Sequence, residues 1–420
     1  TLQGAGATTT SIAPSVTTNN CTIVVRNPSG NVTIDGFNFV MKPKVNYGSA
    51  ILVTGTNIDI DSVTVTISNN IITGSNDGSK SDYGFYGQGN NAKIIITGNT
   101  INKTGDNPIV MEQQFGSTTV EYNTFYITAS PDYDAYYSMA YSGKTISTPQ
   151  IVQNNIFHLD HSGSGFSQAI SFTTAVLNAW GGQPNDTGHY TNIQIKNNTI
   201  YTEGPYARGI GLHDRSSALG NGTITGAVVT GNKIIGEAAT DSETYGITLR
   251  GDIQGAIIQN NEISKVNLGF RVQKNLDSGT TLICPSNTDF SLNKVTSVTT
   301  AAQNSDCVDN VVDASPNWWG LASGPIPGTI SGPVAVDPWC GDAECSFLNP
   351  NYLPSGVSAA DIQAAINEAP AGAIIVIPAG MYNMNGGFTI SNPGITIRLA
   401  NSAIIQNDSP CFIVNADNVT

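Results

Sequence analysis

The hexapeptide ISNNII, residues 67–72, places apolar side chains on both sides of a short polar corner. The same order of apolar, polar, small or polar, Asn, any residue and apolar returns along the chain, as ITGNTI at 96–101, IKNNTI at 195–200 and IQNNEI at 258–263. Successive copies lie 17 to 43 residues apart and cluster near 30. Such a repeat predicts that a strand ends, the backbone turns sharply, and a new strand begins against the same core.

The asparagine shared by the copies is predicted to stack from coil to coil. Asparagine tolerates left-handed backbone angles, and its amide can hydrogen-bond the asparagines of the coils above and below. The predicted ladder consists of Asn70, Asn99, Asn123, Asn155, Asn198, Asn232, Asn261, Asn293 and Asn310.

The repeat resembles that of the right-handed parallel β-helix, the pectate-lyase-like architecture, and this resemblance implies an all-β solenoid of about 13 coils. A β-sandwich or barrel is the alternative, but those folds usually turn about every 8–12 residues and carry hairpin dipeptides.

Composition narrows the possible partners. The net charge is −14, and only 17 of the 420 residues are Lys or Arg. We therefore expect no nucleic-acid partner, because no basic face is available to neutralise a phosphate backbone. The chain has no apolar run of the length that spans a bilayer, so we expect no membrane insertion.

Residues 358–382, SAADIQAAINEAPAGAIIVIPAGMY, predict a helix followed by strands. Ser358 and Asp361 have the spacing of a capping box, and Ile362 and Ile366 share one helix face, so a short amphipathic helix is expected near residues 358–368. We divide the chain into main coils at 1–320, a Pro- and Gly-rich connection at 321–357, and a unit at 358–420 that reads as the start of a solenoid. A helix followed by coils is similar to the amino-terminal beginning of many secreted β-helix proteins.

Reading on from Thr420 into Thr1 gives an apparently uninterrupted pair of coils, with CFIVNADNVT at 411–420 followed by TLQGAGATTTSI. We therefore expect residues 358–420 to form the coils on which residues 1–40 stack. This contact lies either within one molecule, as a circular permutation, or between molecules. In the second case it is a head-to-tail contact that does not close, and the chain forms a homopolymer.

The cysteines predict disulfides. Cys21, Cys284, Cys307, Cys340, Cys345 and Cys411 include no CxxC pair, which argues against zinc or a redox motif. Cys284 and Cys307 are about one coil apart, within reach of a bridge between neighbouring coils, and Cys340 and Cys345 can close a small loop. The remaining pair, Cys21 and Cys411, is also about one coil apart when counted across the two ends of the chain, although both can instead be buried free thiols. Disulfides and scattered Asn-X-Ser/Thr sites favour an extracellular location.

The segment ASPNWWGLASGP, residues 314–325, carries a second resemblance. An Asn-Trp-Trp-Gly element followed by Gly-Pro, after β-helix coils, resembles surface proteins of methanogenic archaea and some bacteria. The resemblance implies a structural protein of an extracellular sheath or surface layer, amyloid-like in its continuous backbone pairing. Trp318 and Trp319 can also be a hydrophobic lid over the last coil, and both interpretations can hold together.

A secreted carbohydrate-active enzyme is the alternative function, since polysaccharide lyases and hydrolases share this architecture. The candidate residues for such a site are Asp160, His161, His213, Asp214 and Arg215. None matches the polygalacturonase or pectinesterase motifs, and we prefer to interpret them as solvated corner residues, so we assign no catalytic residue, metal ligand or cofactor. The tyrosines of YDAYY, residues 133–137, can contact the faces of sugar rings, so glycan binding is a further alternative. A packed loop explains these tyrosines equally well.

Overall fold

The computed structural model describes most of the chain. The described residues are 1–8, 10–12, 22–41, 48–74, 82–102, 107–128, 134–141, 143–160, 167–174, 188–214, 222–237, 244–275, 283–304, 306–321, 324–346, 348–349, 358–369, 373–377, 380–384, 386–399, 403–407 and 410–419.

The chain is a right-handed parallel β-helix, as the repeat predicts. Each coil adds one strand to each of three long parallel sheets, here named A, B and C. Sheet A consists of Leu2–Gln3, Val32–Asp35, Thr64–Ser68, Lys93–Thr97, Thr118–Glu121, Gln150–Gln153, Ile193–Lys196, Val228–Thr230, Ile257–Gln259 and Asp289–Ser291. Sheet B consists of Ser11–Ile12, Asn38–Val40, Ile71–Thr73, Thr100–Asn102, Thr124–Thr128, Ile156–Asp160, Thr199–Glu203, Lys233–Gly236, Glu262–Ser264 and Lys294–Thr296.

Sheet C carries the longest strands. It consists of Ile23–Arg26, Gly48–Gly55, Asp82–Asn90, Ile109–Gln114, Asp134–Met139, Ser167–Thr173, Ala207–His213, Tyr245–Arg250, Leu268–Gln273, Thr300–Gln303 and Ile330–Ser331. A short fourth parallel sheet consists of Thr145–Ile146, His189–Tyr190, Thr223–Thr225 and Ile253–Gln254. Ile330–Ser331 lies in the segment predicted as a connection, so part of that segment pairs with the main coils.

The core is built from in-register stacks of like side chains. One inward row of sheet A runs without interruption from coil to coil, and all of its members are buried. They are Ile34, Ile67, Ile96, Val120, Val152, Ile195, Val229, Ile258 and Phe290. Strict inside–outside alternation fixes this register, because a slip of one residue would turn every member of the row toward solvent.

Residues 306–349 cover the last coils of the main unit. Val312–Asp313 pairs in parallel with Val334–Ala335, and Trp339–Cys340 pairs antiparallel with Leu348–Asn349. Trp319 and Trp339 are buried in the main hydrophobic cluster. The position of Gly324 depends on glycine, since a Cβ there would lie 2.9 Å from Cε2 of Trp339. The end of the main coils is therefore closed by an apolar lid, to which Trp319 belongs.

Residues 358–419 form a second solenoid unit with its own core. The helix Ala359–Glu368 begins at the N-cap Ser358 with the predicted capping box and packs Ile362 and Ile366 on the first coil. The strands pair in parallel as Ile374–Ile377 with Thr396–Leu399, Gly380–Met384 with Ala403–Asn407, and Phe388–Ile390 with Phe412–Val414. No helix in the described part of the chain is both long and apolar enough to span a bilayer.

Candidate functional site

Asparagine side chains form a continuous buried ladder through the main coils. In each rung the side-chain Nδ2 and the backbone N–H of one asparagine both donate to Oδ1 of the asparagine in the next coil. Asn155, for example, donates from both groups to Asn198 Oδ1 at 3.0 Å, and its own Oδ1 accepts both groups of Asn123. The same pattern links Asn70, Asn99, Asn123, Asn155, Asn198, Asn232, Asn261 and Asn293. Each buried amide is thus satisfied by its neighbours, which is the condition for placing polar groups inside a core.

Two details of the predicted ladder are wrong. Asn310 is exposed and lies outside it, and the next rung is Asn317, whose Oδ1 accepts from both amides of Asn293. Backbone pairing explains the difference, because Val295 N–H donates to Trp318 O and so sets the corner of this coil at residue 317. The left-handed backbone conformation also belongs to the residue before the ladder asparagine, as at Asn69 and Asn260, with φ of 53° and 55°.

Two disulfides lie at the lid end of the main coils. Cys284 and Cys307 are bridged across neighbouring coils with a Cα–Cα distance of 5.9 Å, and Cys340 is bridged to Cys345. Cys411 is a free thiol, half-buried at the start of the strand Phe412–Val414. Its predicted partner Cys21 lies outside the described residues.

The first coil of the main unit presents an open apolar face. The inward row of sheet A begins at Leu2, which pairs in register with the buried Ile34 yet is 50% exposed. Ile12 and Ile23 occupy the equivalent inward positions of sheets B and C and are only partly buried. Thr1 lies beside Leu2 at the edge of this coil. Each of the three strands lies at the end of its sheet, so its outer edge has no strand partner among the described residues, an arrangement that proteins normally cover.

The second unit presents a matching open face on the side opposite its helix. Leu399 and Val414 continue the inward rows of Ile377 and Ile390, and each is 52% exposed. Ile405, below the buried Tyr382, completes the third side of the coil. Thr420 lies outside the described residues.

Among the described residues, no strand of one open face is paired with a strand of the other. In the part of the chain that the structure describes, Leu2–Gln3, Ser11–Ile12 and Ile23–Arg26 each pair with the next strand of their own sheet and with no other, and the sheets of residues 374–414 contain no described strand of the main unit. In the described structure, the lid covers one end of the main unit and the helix Ala359–Glu368 covers one end of the second unit. The other end of each unit is an open coil.

The candidate enzyme residues do not come together. Asp160 ends a strand of sheet B and is exposed, whereas His213 ends a strand of sheet C, Asp214 follows it, and both are buried. Asp214 accepts the Thr174 hydroxyl at 2.8 Å and the Asp252 backbone N–H at 3.2 Å, so its carboxylate stabilises the corner after the strand. His161 and Arg215 lie outside the described residues. Within the described residues, no three His, Cys, Asp or Glu side chains are placed to hold a metal ion.

The tyrosines of the aromatic motif YDAYY that the structure describes lie on opposite faces of sheet C, and both are buried. Tyr136 points inward with its phenol fully buried, and Tyr137 packs on the other side of sheet C with Tyr83, Val110 and Met139. Burial raises the pKa of Tyr136 far above its ordinary value, and desolvation likewise raises the pKa of Tyr190, whose hydroxyl contacts Ser138 Oγ at 2.9 Å. Tyr133 lies outside the described residues.

Outward-pointing side chains of sheet C form a surface that sequence reasoning missed. We call it the outer face of sheet C and define it by Arg208, Tyr245, Thr248, Arg250 and Arg271, which lie on three neighbouring coils. The available signal was modest, since each of the three strands carries a single arginine among mostly apolar residues and glycine. It gains weight from the scarcity of arginine, of which the whole chain contains six.

Comparison with known proteins adds little to this picture. No protein-family model matches the chain, and no curated protein matches it. Two solved structures align with it, both of a PL6 family alginate lyase, AlyGC. One is 13% identical, covers 96% of this chain and 68% of the lyase, and has a TM-score of 0.14; the other, a substituted form of the lyase, is 11% identical, with 97% and 68% coverage and a TM-score of 0.13. Scores this low carry no argument about activity, and none of the comparisons supports the resemblance to methanogen surface proteins.

Proposed function

We propose that this chain is a structural protein of an extracellular sheath or surface layer and assembles with copies of itself by stacking solenoid coils. The observation that carries the proposal is the pair of open apolar coils, one on the main unit and one on the second unit. Each presents three strands whose inward side chains are partly to half exposed, and the opposite side of each unit is covered. Two such faces can bury each other and continue three sheets at once.

The joint has a definite expected register. The strands Thr396–Leu399, Ala403–Asn407 and Phe412–Val414 would pair with Leu2–Gln3, Ser11–Ile12 and Ile23–Arg26 of the next molecule, in that order. Leu399 then lies over Leu2, Ile405 over Ile12, and Phe412 over Ile23. Every contact is apolar on apolar, and every edge strand gains a parallel partner, so one joint removes both exposed hydrophobic surface and unpaired backbone groups.

A covalent bond can secure the same joint. Cys411 precedes the strand Phe412–Val414 and is a free thiol, and the sequence places Cys21 shortly before Ile23. In the expected register these two cysteines belong to adjacent coils of neighbouring molecules. We therefore propose that oxidation links them, which would make the polymer resist denaturant until it is reduced.

Electron microscopy of the purified chain, combined with gels run with and without reductant, tests the proposal. We expect filaments, rings or sheets, together with a ladder of oligomers on the non-reducing gel that collapses to one band on reduction. Cys411→Ser should leave the assemblies visible but abolish the ladder. Discrete monomers at high protein concentration, with a reductant-independent band, would contradict the proposal.

A carbohydrate-active enzyme is the second candidate, favoured by one observation. The buried His213 and Asp214 lie next to Arg250 across the strand pair on sheet C, so a titratable ring and a guanidinium are neighbours on one surface. Release of unsaturated or reducing ends from polyuronates, lost in His213→Ala and kept in His158→Ala, would favour this reading. His158 stacks between Tyr126 and Tyr201 on sheet B and so serves as a distant control.

A further inference from the structure

The outward side chains of sheet A form a long, regular surface. We call it the outer face of sheet A and define it by the nine strands from Val32–Asp35 to Asp289–Ser291. Every residue of these strands is described, and each outward side chain except that of Ser291 is at least partly exposed. At about 4.8 Å per coil, the face is about 38 Å long. It is therefore accessible to a partner over almost its whole length.

One outward row of this face, here called the first row, is rich in apolar side chains. Strand pairing places these side chains above one another from coil to coil, with threonine or glutamine between some of them. The apolar members are Ile95, Ile151, Val228 and Ile257. Ile257 is 39% exposed, and the other three are partly exposed. Two flat sheet surfaces with such rows can bury them against each other in a dry contact.

The other outward row, here called the second row, carries charges of both signs. Glu121, Gln153 and Lys196 occupy three consecutive coils of it. Gln153 Nε2 donates to Glu121 Oε2 at 2.7 Å, and Lys196 Nζ donates to Gln194 Oε1 at 2.7 Å. These neutral partners orient the two charged groups, and neither group has an ion-pair partner among the described residues. Each can therefore accept an opposite charge from another molecule.

A two-fold axis along the strand Gln150–Gln153 makes the outer face of sheet A complementary to itself. Such an axis reverses the direction of the second solenoid and places each row opposite the same row of the second copy. Glu121 and Lys196 lie one coil on either side of the strand, so Glu121 of each copy faces Lys196 of the other. The contact thus contains two symmetry-related ion pairs, as an isologous interface requires.

The first row also meets itself favourably in this arrangement. Ile151 lies on the axis and faces Ile151 of the second copy, whereas Ile95 and Val228 are each two coils from the axis and face one another. Asp35 and Asp289, the other carboxylates of the two rows, are four coils from the axis and face hydroxyl side chains of the second copy. No like charges of the two rows are opposed.

Charge distinguishes this arrangement from similar ones. Sliding the second copy by one coil places Glu121 and Lys196 opposite neutral side chains, and sliding it by two coils opposes either the two glutamates or the two lysines. A two-fold axis parallel to the solenoid would instead place the second row against the first row at the same coil, opposite Thr119 and Gln194. Among these arrangements, the centred antiparallel one alone pairs both charges.

The contact is small for two isolated molecules. A strip about 38 Å long and two outward rows wide buries on the order of 1,000 Å² in total, which is the lower limit for specific interfaces. Two free chains should therefore separate readily, and light scattering of dilute chains should show monomers. Chains that are also joined end to end repeat the contact along their length, which raises its effective strength.

We propose that the outer face of sheet A is a lateral interface between two copies of this chain that run in opposite directions, with Gln150–Gln153 of both copies on the two-fold axis. The contact uses side surfaces only, so it does not depend on stacking of the coil ends. Where coils also stack, it joins two filaments into an antiparallel pair.

Chemical crosslinking of the full chain tests the register, because it traps a contact that is too weak to isolate. All variants carry Cys21→Ser and Cys411→Ser, which leaves the two disulfides and one introduced cysteine. Gln153→Cys lies on the proposed axis, so a short bis-maleimide should link two copies of this variant.

Thr230→Cys is the matched control for this crosslink. Thr230 is a partly exposed residue of the same row, two coils from the axis, and faces Thr97 of the second copy rather than itself. We expect Gln153→Cys to form dimers at least about fivefold faster than Thr230→Cys. An equimolar mixture of Thr97→Cys and Thr230→Cys should form mixed dimers at a rate close to that of Gln153→Cys.

A charge exchange tests the ion pairs in the Gln153→Cys chain. Glu121→Lys and Lys196→Glu each oppose like charges at two symmetry-related positions, so each should slow crosslinking about three- to tenfold. The double variant restores opposite charges with their positions exchanged, and it should crosslink at nearly the original rate. Circular dichroism of each variant identifies misfolding, and if Glu121→Lys is misfolded, Lys196→Glu provides the comparison.

Several outcomes would overturn the proposal. Equal crosslinking rates of Gln153→Cys and Thr230→Cys would indicate random collision, and a double charge variant no faster than the single ones would exclude the ion pairs. Crosslinking through Gln153→Cys should persist in a chain that also carries Leu2→Asp and Val414→Asp, which block both open coils; its loss there would contradict a contact that is independent of stacking. Absence of filaments by electron microscopy, with the crosslink retained, would instead contradict only the end-to-end assembly.

Discussion

The ladder asparagine and the residue before it have different tasks, and adjacent substitutions can separate them. Asn261 donates to Val229 O and Asn293 Oδ1 and accepts from both amides of Asn232. Asn261→Ala leaves several of these buried groups unsatisfied, so we expect the free energy of unfolding to fall by about 2–5 kcal/mol. Asn260 is exposed with φ of 55°, a conformation that glycine adopts without strain, so Asn260→Gly should change stability by less than about 1 kcal/mol.

Urea titration followed by circular dichroism measures both changes. Equal losses for Asn260→Gly and Asn261→Ala would contradict the assignment of this stability to the buried amide ladder.

Two buried phenols predict sensitivity to alkali. Burial raises the pKa values of Tyr136 and Tyr190 in the folded chain above the value of about 10 expected when unfolded. The folded state therefore retains protons that the unfolded state releases. The contribution of these two phenols should be constant below about pH 10, and above it the free energy of unfolding should fall by about 1.4 kcal/mol per pH unit for each of them.

Tyr190→Phe tests this expectation. The variant should lose about 1 kcal/mol at neutral pH, because Ser138 loses its partner, but its stability should decline less steeply above pH 10. Tyr122, which is 62% exposed, provides the control, and Tyr122→Phe should keep the slope of the unmodified chain. An unchanged slope in Tyr190→Phe would contradict the assignment.

At the residue scale, the sequence predicts the positions of buried asparagines well where the hexapeptide repeats and poorly where the repeat ends. Eight ladder positions follow from the hexapeptide, because each copy faces the same core. The residues around Asn310 match the hexapeptide, but Asn310 is not a rung of the ladder. The position of that rung depends on the backbone hydrogen bond that Val295 N–H donates to Trp318 O. The Arg208–Tyr245–Arg271 arrangement depends on side chains from three coils meeting on an outer surface, and no local pattern contains that information.

Among the elements, the disulfide that links neighbouring coils should contribute more stability than the one that closes a small loop. Cys284 and Cys307 are 23 residues apart, and Cys340 and Cys345 are 5 residues apart. Because the entropy removed from the unfolded chain grows with loop length, replacing the first pair by alanine should cost about 3 kcal/mol and the second about 2 kcal/mol. Differential scanning calorimetry measures both. A larger loss from the second pair would mean that local contacts of the lid, rather than chain entropy, dominate.

Element boundaries were predicted best where a chemical signal marks them. The capping box at Ser358 and Asp361 fixed the start of the helix, and the helix ends at Glu368 as expected. The segment 321–357 was harder to interpret, because its Pro and Gly residues conceal a short strand, Ile330–Ser331, that pairs with sheet C. Two-residue strands have too few positions to show alternation.

At the scale of the whole molecule, the arrangement of caps and open coils determines what assemblies are possible. The lid of residues 306–349 and the helix Ala359–Glu368 each cover one side of a unit. The remaining open faces differ in sequence, so a joint between them is head to tail. A head-to-tail joint adds molecules in one direction and gives a filament, or a ring if its curvature closes.

Mixing two face-blocked variants tests this directionality. Leu2→Asp places a charge in the open face of the main unit, and Val414→Asp does so in the open face of the second unit; burying either charge in an apolar joint is costly. Each variant alone should remain monomeric by light scattering, whereas an equimolar mixture should form a dimer and stop, because only one compatible pair of faces is left. Val24→Asp and Ile404→Asp, at exposed outward positions of the same coils, are matched controls and should assemble like the unmodified chain. Single variants that still polymerise, or a mixture that grows beyond a dimer, would contradict head-to-tail stacking of these two faces.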